Sequence, residues 1–152
     1  MTSLVRCIIV DDEHGAIEVL KKYVSKVSWL QLDASFSDPL EALNHLSQNS
    51  VDLVFMDINM PDLSGLQLSR LIPDDSTAVI FCTAHSQECY LLPAANLNIQ
   101  GFIVKPLIYK RLKETLFDIV EYLNSNSILG IKISDHLSYD VDKNSFILDI
   151  LP

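Results

Sequence analysis

The chain has 152 residues, 49% of them hydrophobic, and a formal net charge of −9. That length suits one domain with some chain to spare, and the apolar content excludes wholesale disorder. The charge argues against this stretch gripping nucleic acid or an anionic membrane by itself, but it would not repel a metal cation.

Strand-like and helix-like segments alternate from the start. "VRCIIV" (5–10) reads as a first strand, and residues 14–28 carry Ile17, Leu20, Val24 and Val27 at helical spacing. "LQLDASF" (30–36) alternates like a second strand. Asp38 and Pro39 then supply an N-cap and a first-turn proline, with Glu41 at the capping-box position and Leu40, Leu43 and Leu46 as the stripe. "LVFMD" (53–57) is a third strand buried on both faces. Ser64 and Gln67 open a short helix that ends before Pro73, "AVIFCT" (78–83) is a fourth strand, and "IQGFIV" (99–104) a fifth. Between these two, "SQECYLLPAANLN" reads as a fourth helix shortened or broken at Pro93. Ile108, Leu112, Leu116, Ile119 and Leu123 stripe the last helix. Five strand–helix units predict a doubly wound α/β domain over residues 1–124, with a parallel sheet covered on both faces.

After "NSNS" (124–127) the pattern changes. Leu137, Tyr139 and Val141 alternate with polar residues, Asp142 to Ser145 offers a turn, and Phe146, Leu148 and Ile150 alternate again. Residues 125–152 are therefore expected to be a polar linker and a β-patterned tail. Such a tail is too small to stand alone and must pack, pair or belong to something larger. No apolar run approaches a membrane span, and "LVRCIIVDDE" is broken by Arg6 and closed by three acids, unlike a signal peptide. Cys7 and Cys82 lie in apolar strands, which predicts buried reduced thiols and a cytoplasmic protein.

In an open parallel sheet the ligand site lies beyond the carboxyl ends of the strands. Strand one ends at Asp11, Asp12 and Glu13, strand three at Asp57, strand four at Thr83 and strand five at Lys105. Crowded carboxylates need a cation or a proton to coexist, and Mg²⁺ is a hard ion that accepts a few carboxylates and keeps waters for a phosphate. Asp57 then suits a phosphoryl-accepting nucleophile, Thr83 a hydrogen-bond donor to a phosphoryl oxygen, and Lys105 a neutralising charge. The loop at Pro61 and Gly65 is expected to turn sharply and present the Asn59 carbonyl to the ion. Each residue alone has a plainer reading, Asp57 as a turn residue and Asp11–Asp12 as acids ahead of a helix. Their coincidence at four strand ends favours one chemistry.

"IIVDDE", "DLVFMDINMPDLSG", "FCTA" and "GFIVKP" together resemble the response-regulator receiver domain of bacterial two-component signalling, over about residues 4–124. The resemblance implies a flavodoxin-like sheet in the order 2-1-3-4-5. It implies that Asp57 is the phosphoacceptor for a histidine kinase, and that Asp11, Asp12, Asp57 and the Asn59 backbone carbonyl hold Mg²⁺. Lys105 would contact the phosphoryl group, with Pro106 after it often joined through a cis bond. Thr83 and Phe102 would be the switch pair, acting on the face formed by the fourth helix, fifth strand and fifth helix. That face or the tail is a candidate homodimer surface. The tail looks like the opening strands of a β-rich effector of the LytTR DNA-binding type, so DNA would be reached only through a domain absent here, and the output would be transcription. His85 is a candidate neighbour of the phosphoryl group that tunes its lifetime, against the plainer reading of a loop histidine. His14, His45 and His136 show no ligand spacing. Two competing classes stand beside this one. An aspartate-nucleophile phosphatase needs a second acid two residues after the nucleophile, where Asn59 stands. A phosphorylation-independent interaction module usually loses the acids or the lysine, and all are present here.

Overall fold

The structure, a computed structural model, describes residues 4–74, 76–84, 99–125, 137–140 and 145–148. The fourth helical segment with Pro93, His85 and His136 all lie outside those residues. The elements run β1 (Val5–Val10), α1 (His14–Val24), β2 (Leu30–Phe36), α2 (Pro39–Gln48), β3 (Leu53–Met56), α3 (Gly65–Leu71), β4 (Ala78–Thr83), β5 (Ile99–Val104) and α4 (Tyr109–Ser125). A hairpin follows, β6 (Leu137–Asp140) and β7 (Ser145–Leu148). The helix labelled α4 is thus the last of the sequence-predicted helices, and it runs through the first two residues of the polar "NSNS" stretch.

β1 to β5 form one parallel sheet in the order β2-β1-β3-β4-β5. Side chains alternate across a strand, so each central strand must feed two cores. One contains Cys7, Ile9, Phe55, Ile80 and Cys82 with Ile17, Leu20 and Val24 of α1 and Leu112 and Leu116 of α4. The other contains Ile8, Val10, Val54, Met56, Val79 and Phe81 with Ala42 and Leu46 of α2 and Leu68 of α3. Helices therefore cover both faces, as the continuous apolar runs of β1, β3 and β4 require. β2 is an edge strand, buried fully only at Leu30, which accounts for its alternating sequence.

Three local expectations need correction. The apolar spacing of residues 14–28 suggested one long helix, but α1 ends at Val24. Ser25 N–H donates to the Lys21 carbonyl, and Lys26 and Val27 N–H donate to the carbonyls three residues back at Tyr23 and Val24. This tightening returns Val27 to the core, 2% exposed, without a further helical turn. In α2 the inward stripe is Pro39, Ala42 and Leu46, whereas Leu40 is 54% exposed. Spacings of three and four follow a 3.6-residue period better than the three–three run of leucines. Ile108, counted in the last helix's stripe, precedes α4 and is exposed. The Ile119 and Leu123 side chains lie outside the described residues.

Capping follows the sequence at Asp38 and at Ser64, but Glu41 does not complete the capping box expected with Asp38. The Asp38 carboxylate accepts from Leu40 N–H at 2.9 Å. Ser64 Oγ accepts from Gln67 N–H at 3.1 Å while Gln67 Oε1 accepts from Ser64 N–H at 2.9 Å, a complete capping box. The tail pairs as expected, with Leu137 opposite Leu148 and Tyr139 opposite Phe146 in an antiparallel ladder.

Cys7 and Cys82 are unpaired and buried. Burial pushes both thiols up to about 12, helped by the charges of Asp33 and Asp52 at Cys7 and of Asp11 at Cys82. Both should stay protonated and unreactive toward a thiol-directed disulfide reagent at pH 8 until the protein unfolds. Titration with and without denaturant of a variant whose third cysteine is removed, Cys89→Ser, checks this. Fast labelling of two thiols in the native protein would contradict it. Among the described residues, no helix is long and apolar enough to cross a membrane.

Candidate functional site

The carboxyl ends of β1, β3, β4 and β5 bring the polar residues to one edge. Asp11 continues β1, its N–H donating to the Phe36 carbonyl at 3.0 Å. Asp57 follows β3, its N–H donating to the Val10 carbonyl at 2.9 Å. The ladder thus reaches one residue past each strand and holds the two acids rigidly beside each other. Both are buried, at 1% and 4% exposure. Asp12 is exposed, and one carboxylate oxygen from each of Asp11, Asp12 and Asp57 lies within 4.8 Å of the other two. Thr83 ends β4, fully buried, and its carbonyl accepts from Lys105 N–H at 2.7 Å. Phe102 stands opposite Phe81 and packs, half-buried, against the core beneath α2 and α3. The Lys105–Pro106 bond is cis.

Lys105 reaches across to the acids. Its Nζ lies 2.9 Å from Asp11 Oδ2, 3.7 Å from Asp57 Oδ2 and 3.8 Å from Glu13 Oε2. Burial alone would lower its pKa, but the ion pair with Asp11 and the charges of Asp57 and Glu13 carry it upward. Asp57 moves the other way for a carboxylate. Burial and then the charge of Asp11 push it up from 3.8 to about 7, against the pull of Lys105, with Asp12 adding to the rise. One ammonium does not balance Asp11, Asp12, Glu13 and Asp57.

The donor set fits a hard divalent cation. All three clustered donors are carboxylate oxygens. Asp11 Oδ1 is engaged by Glu13 N–H at 2.9 Å. Asp11 Oδ2 is buried, with the Lys105 ammonium 2.9 Å away as its one charged neighbour of opposite sign. A lone pair therefore remains on a buried carboxylate that faces two others.

The loop after Asp57 is built differently from the sequence reading. The loop at Pro61 and Gly65 does turn sharply, but at its Pro61 end, and the φ of Gly65 is not positive. Asp62 has the positive φ, at 70°, and Leu63 N–H donates to the Pro61 carbonyl at 2.8 Å, closing a γ-turn around it. Gly65 opens α3 pressed against the strand tip. A Cβ there would sit 2.1 Å from the Asp57 carbonyl oxygen and 3.0 Å from Ile58 Cα. Gly65 N–H also donates to the Ile58 carbonyl at 2.8 Å, closing the loop that carries exposed Asn59. Sequence reasoning missed this close approach and the contact between Glu13 and Lys105. Only the presence of a glycine at a helix start, where propensity disfavours it, hinted at the first.

Comparison with known proteins decides the family. The response regulator receiver domain model matches residues 7–117. The chain belongs to the response regulator receiver domain family. The receiver is 39% identical over 112 residues to the positive alginate biosynthesis regulatory protein of Pseudomonas aeruginosa, covering 72% of this chain and 44% of that one. It is 33% identical over 114 residues to an uncharacterised response regulatory protein of Yersinia pestis, covering 74% and 47%. Against the transcriptional regulatory protein LytR of Staphylococcus aureus the identity is 30% over 113 residues, covering 73% and 45%. The receiver thus spans about half the length of the curated relatives it matches. Among solved structures, the response regulatory domain of protein mrkE from Klebsiella pneumoniae superposes with a TM-score of 0.71 at 28% identity, covering 79% of this chain and 98% of that domain. Receivers of this family serve phosphorylation-based signalling in two-component systems.

Proposed function

We propose that Asp57 accepts a phosphoryl group from the phosphohistidine of a histidine kinase, in a Mg²⁺-dependent reaction. Ionised Asp57 attacks phosphorus through a carboxylate oxygen, the phosphorus–nitrogen bond breaks, and the electron pair leaves with the kinase imidazole. Asp11, Asp12, Asp57 and the Asn59 backbone carbonyl would hold the metal, which supplies positive charge to the phosphoryl oxygens when bound. Lys105 neutralises a further phosphoryl oxygen, and the Thr83 hydroxyl donates to another. The observation that carries this reading is the meeting of three carboxylates within 4.8 Å with an ammonium 3.7 Å from Asp57.

Phosphorylation adds close to two negative charges and new acceptor oxygens at the sheet edge. Thr83 moves toward them and Phe102 follows, so the surface around β5 and α4 changes shape. We infer that residues 1–124 are the switch and that residues 125–152 begin an output domain, in the manner of a transcriptional regulator. The paired β6–β7 hairpin and the greater length of the relatives support this assignment. That surface and the tail are the proposed contacts for a second copy, and DNA would be met through the output domain.

Incubation with acetyl phosphate and Mg²⁺ should add one phosphoryl mass to the wild type and none to Asp57→Asn. Equal labelling of both proteins, or none of either, overturns the assignment. The label should also disappear when a chelator removes the metal.

A further inference from the structure

Glu13 occupies an unusual position for a residue at a helix start. It is the N-cap of α1, yet its side chain makes no capping hydrogen bond. The helix is served by its backbone instead, the Glu13 carbonyl accepting from Ala16 and Ile17 N–H at 3.1 and 3.2 Å. The side chain points across the sheet edge, where Oε2 lies 3.8 Å from Lys105 Nζ. Its backbone N–H is fixed on Asp11 Oδ1 at 2.9 Å, so the carboxylate starts from a defined place. Lys105 therefore has three anionic neighbours, Asp11, Asp57 and Glu13. Asp11 and Asp57 belong to the metal and phosphoryl site. Glu13 does not, and its side chain is 65% exposed.

We propose that Glu13 is a positioning residue for Lys105, competing with the incoming phosphoryl group for the ammonium and so slowing phosphoryl acceptance at Asp57. This rests on the function proposed above. The phosphoryl group must draw Lys105 toward Asp57, and every attraction holding the ammonium on the α1 side opposes that movement. The other two carboxylates stay beside the reacting centre throughout. Glu13 holds the ammonium from outside that cluster. An exposed pair of this kind is weak and sensitive to salt, so its effect is a modest tuning of rate.

The test compares Glu13→Gln with Glu18→Gln. Both remove one negative charge from α1, but Glu18 pairs with Lys21 at 3.4 Å and does not touch Lys105. Labelling by acetyl phosphate with Mg²⁺, followed by intact mass, should run about two- to fivefold faster in Glu13→Gln and unchanged in Glu18→Gln. The acceleration should fade in 0.5 M salt and vanish in a Lys105→Ala background. A second reading needs no metal and no phosphate. The Lys105 ammonium nitrogen resonance, assigned with Lys105→Arg, should shift in Glu13→Gln and hold still in Glu18→Gln. An unshifted resonance, a rate equal to wild type, or the same acceleration without Lys105 each overturns the proposal. A wild-type protein that takes no label at all instead sinks the parent function, and the competition with it.

Discussion

Asp57→Asn is expected to make the receiver more stable while ending its capacity to be labelled. In the unfolded chain Asp57 ionises near 3.8, but burial and the neighbouring Asp11 hold it protonated up to about 7 in the native state. Between these values the native protein binds more protons than the unfolded one. Stability therefore falls as pH rises from about 4 to about 7, and stays low above that. At ~1.4 kcal/mol for each tenfold change, the displacement sets an upper limit of ~4 kcal/mol. Relaxation around Lys105 should bring the gain in Asp57→Asn to about 1–3 kcal/mol at pH 8. At pH 4 the two proteins should differ little. An asparagine amide can donate to Asp11 and carries no charge to desolvate, so the replacement leaves the packing in place. Thermal melts of both proteins from pH 4 to pH 8 measure the gap. Curves that stay parallel across that range would falsify the account of a strained carboxylate. Mg²⁺ should close part of the gap at pH 8 by stabilising the wild type, because the cation offsets the crowding that raised Asp57.

Such a carboxylate was legible in the sequence because parallel topology sends every strand's carboxyl end to the same edge. Once "VRCIIV", "LVFMD", "AVIFCT" and "IQGFIV" read as strands, Asp11, Asp57, Thr83 and Lys105 had to meet, and the observed order β2-β1-β3-β4-β5 brings them together. Local signals such as the Asp38 cap and the Ser64–Gln67 box were equally readable, since both partners lie within one turn. What escaped was set in part by contacts between distant segments and in part by turns that periodicity and composition do not mark. Leu40 and Ala42 exchange places because the phase of α2 depends on how its axis meets the sheet, which three leucines at equal spacing do not specify. Val27 reaches the core through a tight turn that helical periodicity imitates. Asp62 takes the left-handed conformation that composition would give to Gly65, since aspartate tolerates it and the glycine is needed elsewhere. The pull of Glu13 on Lys105 joins residues 92 positions apart and depends on the direction of a single side chain.

Gly65→Ala separates these two roles for glycine and carries the other large expected effect. Helix propensity alone predicts that alanine at the start of α3 stabilises the protein by up to about 1 kcal/mol. The structure predicts the opposite sign. The added methyl would meet the Asp57 carbonyl oxygen at 2.1 Å, and Asp57 C and Ile58 Cα at 3.0 Å. All three are backbone atoms of the strand tip, so no side chain can rotate out of the way. The helix must back off or the tip must shift, and overpacking of this kind costs about 1–3 kcal/mol. Moving α3 would also lengthen the 2.8 Å hydrogen bond from Gly65 N–H to the Ile58 carbonyl, which closes the loop bearing Asn59. Function should suffer more than stability, because a displacement of about 1 Å at reacting groups can cost on the order of 100-fold in rate. Phosphoryl labelling of Gly65→Ala should therefore fall at least about tenfold under conditions where circular dichroism finds the protein still folded. Ser64→Ala gives the needed comparison, since it weakens the same helix start through its cap without adding an atom beneath Asp57. It should lose about 1 kcal/mol of stability and keep most of its labelling rate. A Gly65→Ala protein that is as stable as wild type and labels equally fast would mean that the strand tip yields freely, and that Asp57 does not depend on the close approach of α3 for its position.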